Sequence, residues 1–291
     1  MKTRLLEGRP LARAMREDIA TRVQALPGDV RLAVVLVGDD PGSRIYSESI
    51  QRSAGKLGIT AELTELDPSV GGEAVADAIE SLDQDPDVSG IILQRPLPAG
   101  LPEDVAERIS PDKDVDCATA LSMGLLVSGR RSFAPCTAEA VLEMLSGYEI
   151  PVSGSHVVIV GRSMVVGKPL ANMLLKKHEP GNATVTVCHT GTKDLGRHIG
   201  SADILVAAMG RPEAIRGDAI SGGAVVIDVG VNRVEDPAGE KGYRVVGDVA
   251  FDEMMGRASA ITPVPGGVGT MTTTLLLRHV LEAAERRTAV S

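Results

Sequence analysis

The stretch Val157-Val-Ile-Val-Gly161-Arg-Ser-Met-Val-Val-Gly167-Lys-Pro169 decides the fold class of this chain. Four apolar residues, Val157 to Val160, predict a buried strand, and Gly161 ends it. Gly167 follows, and then an apolar run from Leu170 to Leu175 predicts a helix. Strand, glycine turn and helix together set a helix N-terminus against a phosphate. The spacing is not the common G-x-G-x-x-G, because Ser163 stands where the second glycine would be. Taken alone, the stretch also fits an ordinary strand-to-helix turn.

Outward from it, strands are predicted at Ala183–Val187, Ile204–Ala208 and Ala224–Val229, with a short one near Val245. Pro263 to Gly269 forms a rigid Pro/Gly loop, and Leu275–Ala284 a closing helix. The first half alternates in the same way. Leu11, Met15, Ile19 and Val23 recur at four-residue steps, an amphipathic helix over residues 9 to 26. Leu32–Val37 predicts a strand, Ser43 opens a helix to about Leu57, and Ala61–Leu66 predicts a second strand. A helix near Glu73–Leu82 and a third strand at Val88–Gln94 follow. Residues 95 to 136 are loop-rich, and Thr137 caps a helix to about Gly147. Such alternation implies parallel βαβ units, hence an α/β fold with two doubly wound sheets.

Composition narrows the function. A chain of 291 residues can bury a core in two domains. No stretch approaches a membrane span and no signal segment opens the chain. A net charge of −9 disfavours nucleic acid, whose binding rests on neutralising phosphates. Cys117, Cys136 and Cys188 lie far apart, which suits reduced thiols in a cytoplasmic protein rather than a disulfide framework or a metal site. Aromatic residues make up only 2% of the chain, so a Tyr inside a motif stands out.

In a dinucleotide fold the end of the second strand meets the adenosine ribose, and an acid there selects NAD. Here Thr184–Val187 runs into Cys188-His-Thr-Gly-Thr-Lys193, with hydroxyls and a lysine but no acid. Arg162 adds a planar donor suited to a phosphate. Both features favour NADP; the alternative is a polar loop of no consequence. In the first half, Tyr46 and Ile50 share a helix face. Gln94 ends the third strand, where ligands of open α/β sheets bind. Asp114 and Asp116 sit in a loop where carboxylates can also be simply solvated.

These segments occur in one order. They are Val37-Gly-Asp-Asp-Pro-Gly-Ser-Arg-Ile-Tyr46, Gln94-Arg-Pro-Leu-Pro98, Lys113-Asp-Val-Asp116 and Pro135-Cys-Thr137, then Gly161-Arg-Ser-Met-Val-Val-Gly167, Ile227-Asp-Val-Gly-Val-Asn-Arg233, Gly247-Asp-Val249 and Thr262-Pro-Val-Pro-Gly-Gly-Val-Gly269. The set resembles the bifunctional methylenetetrahydrofolate dehydrogenase/methenyltetrahydrofolate cyclohydrolase family over nearly the whole chain. The resemblance implies an N-terminal catalytic domain, residues 1–137 plus 271–291, and a Rossmann-like NADP-binding domain, residues 138–270. It also implies a folate cleft between them and a homodimer. Carried over, Tyr46 would stack on a tetrahydrofolate derivative, Asp116 would anchor its pterin and Gln94 would orient a catalytic lysine. Gly161, Arg162, Ser163, Gly167, Thr190 and Val231 would meet NADP, and Pro265 and Gly266 would line the folate side.

The departures fall on one side of this pattern. The family's catalytic lysine, four residues after the Tyr, is Ile50 here. Lys56 lies ~9 Å further along the helix and roughly 120° around it. Arg95 replaces a Leu, Asp116-Cys-Ala-Thr-Ala120 replaces Asp-Gly-Phe-His-Pro, and Ala138 and Thr270 each replace a Pro. Oxidation of the methylene bridge needs chiefly a well-placed cofactor, whereas hydrolysis of the methenyl product needs general acid–base catalysis. The expectation is an NADP-dependent dehydrogenase with weak or absent cyclohydrolase activity. The alternatives are the full bifunctional enzyme, a paralogue acting on another small iminium or amine, and a catalytically dead binding homologue.

Overall fold

Runs of Val, Ile and Leu make the strands of this molecule, and the glycine- and proline-rich segments between them make the turns. The computed structural model describes residues 1–237, 239 and 242–290. In chain order these form β1 (Arg4–Leu5), α1 (Gly8–Ala25), β2 (Arg31–Val37), α2 (Pro41–Gly55), β3 (Thr60–Leu66), α3 (Gly72–Gln84) and β4 (Gly90–Leu93). Next come α4 (Ala120–Val127), α5 (Cys136–Gly147), β5 (His156–Val160), α6 (Gly167–Leu174), β6 (Thr184–Cys188), α7 (Leu195–Ile199) and β7 (Ile204–Ala207). The chain closes with β8 (Val225–Asp228), β9 (Asn232–Glu235), β10 (Tyr243–Val246), α8 (Phe251–Met254), β11 (Ala260–Ile261) and α9 (Thr272–Val290). Among the described residues, no helix is long and apolar enough to cross a membrane.

The chain divides into two compact units, Met1–Ala12 with Cys136–Thr272, and Arg13–Pro135 with Thr273–Ser291. The second unit holds a three-stranded parallel sheet in the order β3-β2-β4. Central β2 is buried from Leu32 to Val37, as an apolar run covered on both faces must be. Its side chains pack with Val75 and Ile79 of α3 and with Ile91 and Leu93 of β4. The helix after β2 is started by Asp40, whose side chain accepts from Ser43 N at 2.8 Å, with Pro41 in the first turn. His279 of α9 is buried, and its Nδ1 lies 2.7 Å from Val115 O, tying the helix to the 113–116 loop.

The first unit holds a six-stranded parallel sheet, β1-β11-β8-β7-β5-β6, beside an antiparallel β9–β10 hairpin. Strand β5 lies between β7 and the edge strand β6 and carries the glycine turn at its C-terminal end. The expectation that the chain's first residues lie wholly with the folate domain does not hold for β1. Arg4 and Leu5 pair with Ala260 and Ile261, so the N-terminus adds an edge strand to this sheet. Two-residue strands carry no periodicity, so nothing in the sequence pattern marks them.

Two local expectations also change. The loop-rich segment 95 to 136 contains α4, capped by Thr119, which accepts from Ser122 N at 3.1 Å. Thr137 does not cap α5; that helix already begins at Cys136. The short strand expected near Val245 is one arm of the β9–β10 hairpin, with Val245 opposite Arg233.

Candidate functional site

In the unit built on β3-β2-β4, two residues of α2 set the problem. Tyr46 keeps 36% exposure, while Ile50, one turn on, is 0% exposed. Lys56 sits exposed at the C-cap of α2. The only other lysine in this unit's sequence is Lys113. Its Nζ donates to the carbonyls of Leu82, Asp83 and Asp85, closing the C-terminal end of α3. Neither lysine occupies the position of Ile50.

Gln94 follows β4, its N–H donating to Val35 O at 2.8 Å. The side chain is 4% exposed, and its Nε2 has no hydrogen-bond partner among the described residues. Leaving a buried amide unpaired costs ~1–3 kcal/mol. Arg95 is exposed, and its carbonyl accepts from Ser43 Oγ at 2.9 Å, fastening the β4 turn to the start of α2.

The two loop aspartates differ. Asp114 is buried and accepts from Ala118 N at 2.8 Å, Thr119 N at 3.0 Å and Thr119 Oγ1 at 2.8 Å. It shapes the 117–120 loop. Asp116 is half-buried. Between them and that loop, Cys117 adopts φ 52°, a left-handed conformation that favours glycine. Burial pushes the Cys117 thiol up to about 12, so it stays protonated and unreactive at neutral pH.

In the other unit the quoted turn is tight where glycine stands. A Cβ on Gly161 would fall 2.1 Å from Ala208 O, and one on Gly167 would fall 2.1 Å from Gly161 O. Between them Arg162, Ser163, Met164 and Val165 are exposed. Ser163 Oγ accepts from Val166 N at 3.1 Å, which rigidifies the turn leading into α6. At the end of β6, Thr192 Oγ1 accepts from His189 N at 2.8 Å, leaving Thr190 on the outside of the turn.

A cavity of about 240 Å³ lies at the C-terminal end of β8. It is lined by Asp228, Gly230 and Val231 on one side and by Pro263 to Thr270 on the other. The structure thus gathers Val231, Pro265 and Gly266 into one pocket. Thr270, where the family has proline, donates to Gly267 O at 2.7 Å and closes that loop.

Residues 6–116 match the tetrahydrofolate dehydrogenase/cyclohydrolase catalytic domain, and residues 135–288 match the NAD(P)-binding domain of the same family. The chain belongs to the tetrahydrofolate dehydrogenase/cyclohydrolase family. A relative from Myxococcus xanthus, named bifunctional protein FolD 1, is 47% identical, covering 98% of this chain and 99% of the relative. The solved bifunctional FolD dehydrogenase/cyclohydrolase of Campylobacter jejuni is 38% identical with a TM-score of 0.92, covering 98% of this chain and 99% of that one. The Trypanosoma brucei enzyme of this family, solved with NADP cofactor and an inhibitor, is 34% identical with a TM-score of 0.91, covering 99% of both chains.

Within the family's NAD(P)-binding domain, two buried carboxylates stand behind the pocket that sequence reasoning did not single out. Asp228 accepts from Gly230 N at 2.9 Å, Asp248 N at 3.0 Å and Val249 N at 2.9 Å. Asp248 accepts from Met209 N at 2.6 Å, Gly210 N at 3.0 Å, Arg211 N at 2.8 Å and Asn232 Nδ2 at 2.9 Å. Burial pushes the Asp228 carboxyl up to about 6. Both lie in quoted motifs, Ile227-Asp-Val-Gly and Gly247-Asp-Val. The signal available was a glycine two residues after the first Asp and one just before the second.

Proposed function

We propose that this chain oxidises 5,10-methylenetetrahydrofolate to 5,10-methenyltetrahydrofolate with NADP and carries little or no cyclohydrolase activity. Family membership supports the dehydrogenase half. The single observation that carries the second half is Ile50, fully buried one turn after Tyr46, in a unit whose two lysines stand elsewhere.

The turn from Gly161 to Gly167 suits a dinucleotide. Its glycines allow backbone contact closer than any side chain would, and its exposed face carries Arg162. When bound, NADP supplies the hydride acceptor. Arg162 and Thr190 would hold its 2′-phosphate, with Gly161, Ser163, Gly167 and Val231 along the rest of the cofactor. Tyr46 would stack on the pterin and Asp116 would accept its N–H donors, while Pro265 and Gly266 would line the folate side. The carbon that loses hydride lies between two nitrogens whose lone pairs stabilise the cation formed. Orientation is therefore most of the catalysis, and no protein acid or base is required.

Hydrolysis of the methenyl product differs. Water must lose a proton and a ring nitrogen must gain one, work typically worth 10²–10⁴-fold. Isoleucine exchanges no protons. The orphaned Gln94 amide supports the same reading, because a residue that would orient a lysine keeps its place while the lysine is gone. The homodimer implied by the family resemblance completes the proposal.

A second reading rests on the 117–120 loop, where Cys117 is held in a glycine-like conformation. A rebuilt loop suits a paralogue acting on another small iminium or amine. Reduction of NADP with methylenetetrahydrofolate, followed at the nicotinamide absorbance, separates the two. Turnover supports the folate reading, and none with intact NADP binding supports the paralogue.

A further inference from the structure

Asp228 and Asp248 are each almost fully enclosed, and each spends its oxygens on backbone N–H groups of loops that leave the C-terminal edge of the sheet. Asp248 gathers Met209, Gly210 and Arg211 after β7 and reaches Asn232 after β8. Asp228 gathers Gly230 and the backbone of Asp248 and Val249. Two glycines make room for this. A Cβ on Gly230 would stand 2.3 Å from Asp248 Oδ1, and one on Gly247 would stand 1.8 Å from Asp228 Oδ2. The segment around Asp248 is itself held, with Ile215 N donating to Asp248 O at 3.0 Å.

The two ends of this chain of contacts are informative. At one end Ala208, the residue before Met209, lies against the Gly161 turn. At the other, Asp228 N donates to Thr262 Oγ1 at 2.7 Å, the first residue of the Thr262–Gly269 loop. The pocket between holds Gly230 and Val231 opposite Pro263 to Thr270.

We propose that Asp228 and Asp248 form a carboxylate clasp that positions the 209–211 and 230–232 loops, and through them the nicotinamide end of the cofactor against the Thr262–Gly269 loop. They are positioning residues; neither is asked to touch a reacting atom. A carboxylate accepts on every lone pair, whereas an amide of the same shape turns one end into a donor aimed at N–H groups. The clasp rests on the NADP reading above, and its test separates the two.

The experiment measures NADP dissociation constants and residue-level amide hydrogen exchange on the full chain, for wild type, Asp248→Asn and Asn232→Ala. Asp203→Ala is the control, since Asp203 accepts from His156 N at the opposite end of the sheet. Asp248→Asn should weaken NADP by about tenfold or more, the worth of one or two charge-assisted bonds. It should also speed exchange at 209–211 and 230–232, while the control changes neither. Asn232→Ala, which removes one donor only, should follow in the same direction if Asp248→Asn does not fold. Unchanged NADP affinity and unchanged exchange in folded variants would overturn the clasp. A wild type that does not take up NADP would instead overturn the cofactor reading, and exchange at the two loops would still decide whether the clasp holds them.

Discussion

Tyr46 and Ile50 lie one turn apart on the same face of α2, and that face passes from half-open at the tyrosine to closed at the isoleucine. A side chain at residue 50 is therefore fully enclosed, one turn from the residue expected to stack on folate. In such a place a lysine would be held neutral by desolvation, which is the form that can act as a base.

Ile50→Lys should restore part of the hydrolysis of methenyltetrahydrofolate and lower stability together. A pKa driven down by ~3 units costs about 4 kcal/mol at neutral pH. Decay of the methenyl absorbance, corrected for spontaneous hydrolysis, reads the first effect and the thermal midpoint reads the second. Rescue will be partial, because the 117–120 loop and Arg95 also depart from the family pattern. A stable variant with no gain in hydrolysis would show that the pocket has been rebuilt beyond one residue.

Arg162 is exposed on the turn before α6. Arg162→Ala should raise the Michaelis constant for NADP far more than that for NAD. Equal effects on both would remove the basis for NADP preference.

Asp116 is half-buried beside a loop that Asp114 holds in shape. Asp116→Ala should weaken folate binding by about tenfold, if the carboxylate accepts two N–H donors of the pterin as proposed. The loop itself should survive, since Ala118 N and Thr119 N donate to Asp114 and Ala120 N donates to Glu107. A folate dissociation constant unchanged by the substitution would mean that the pterin is anchored elsewhere.

The Asp228 carboxyl titrates at about 6 in the fold against its ordinary 3.8, because burial disfavours its charge. Between those values the folded chain holds a proton that the unfolded chain has lost. This group's contribution to stability is therefore present at low pH and falls as pH rises toward 6, the reverse of a carboxylate such as Asp40, which Ser43 holds below the usual range. Between pH 7 and pH 5 it should add ~1 kcal/mol. Urea unfolding of wild type and Asp228→Asn at both pH values measures it. The variant should gain less, or lose more, by that amount, and identical pH dependence in both would contradict the assignment.

Much of this molecule was legible in its sequence because buried parallel strands are written as apolar runs. Val157 to Val160 and Leu32 to Val37 announce themselves in this way, and the glycines and prolines that follow mark where the runs stop. The N-terminal strand was not legible: Arg4 and Leu5 are two exposed residues whose only signature is their partners 256 positions away at Ala260 and Ile261. Helix α4 was hidden because Pro-rich flanks outweighed a short apolar run, and its cap, Thr119, is set by contacts to Asp114 rather than by local pattern. The site residues that were missed, Asp228 and Asp248, act through backbone groups distant in sequence, so only the two glycines that clear space for them left a trace.

On the proposed reading the enzyme makes methenyltetrahydrofolate and does not open it. The most direct test is one reaction followed at two signals: NADPH formation and methenyl absorbance, with methylenetetrahydrofolate and NADP as substrates at a pH where spontaneous hydrolysis is slow. Methenyltetrahydrofolate should accumulate in step with NADPH, and decay after the cofactor is exhausted no faster than in enzyme-free buffer. Methenyl product that vanishes as fast as NADPH appears, in proportion to the enzyme added, would contradict that reading.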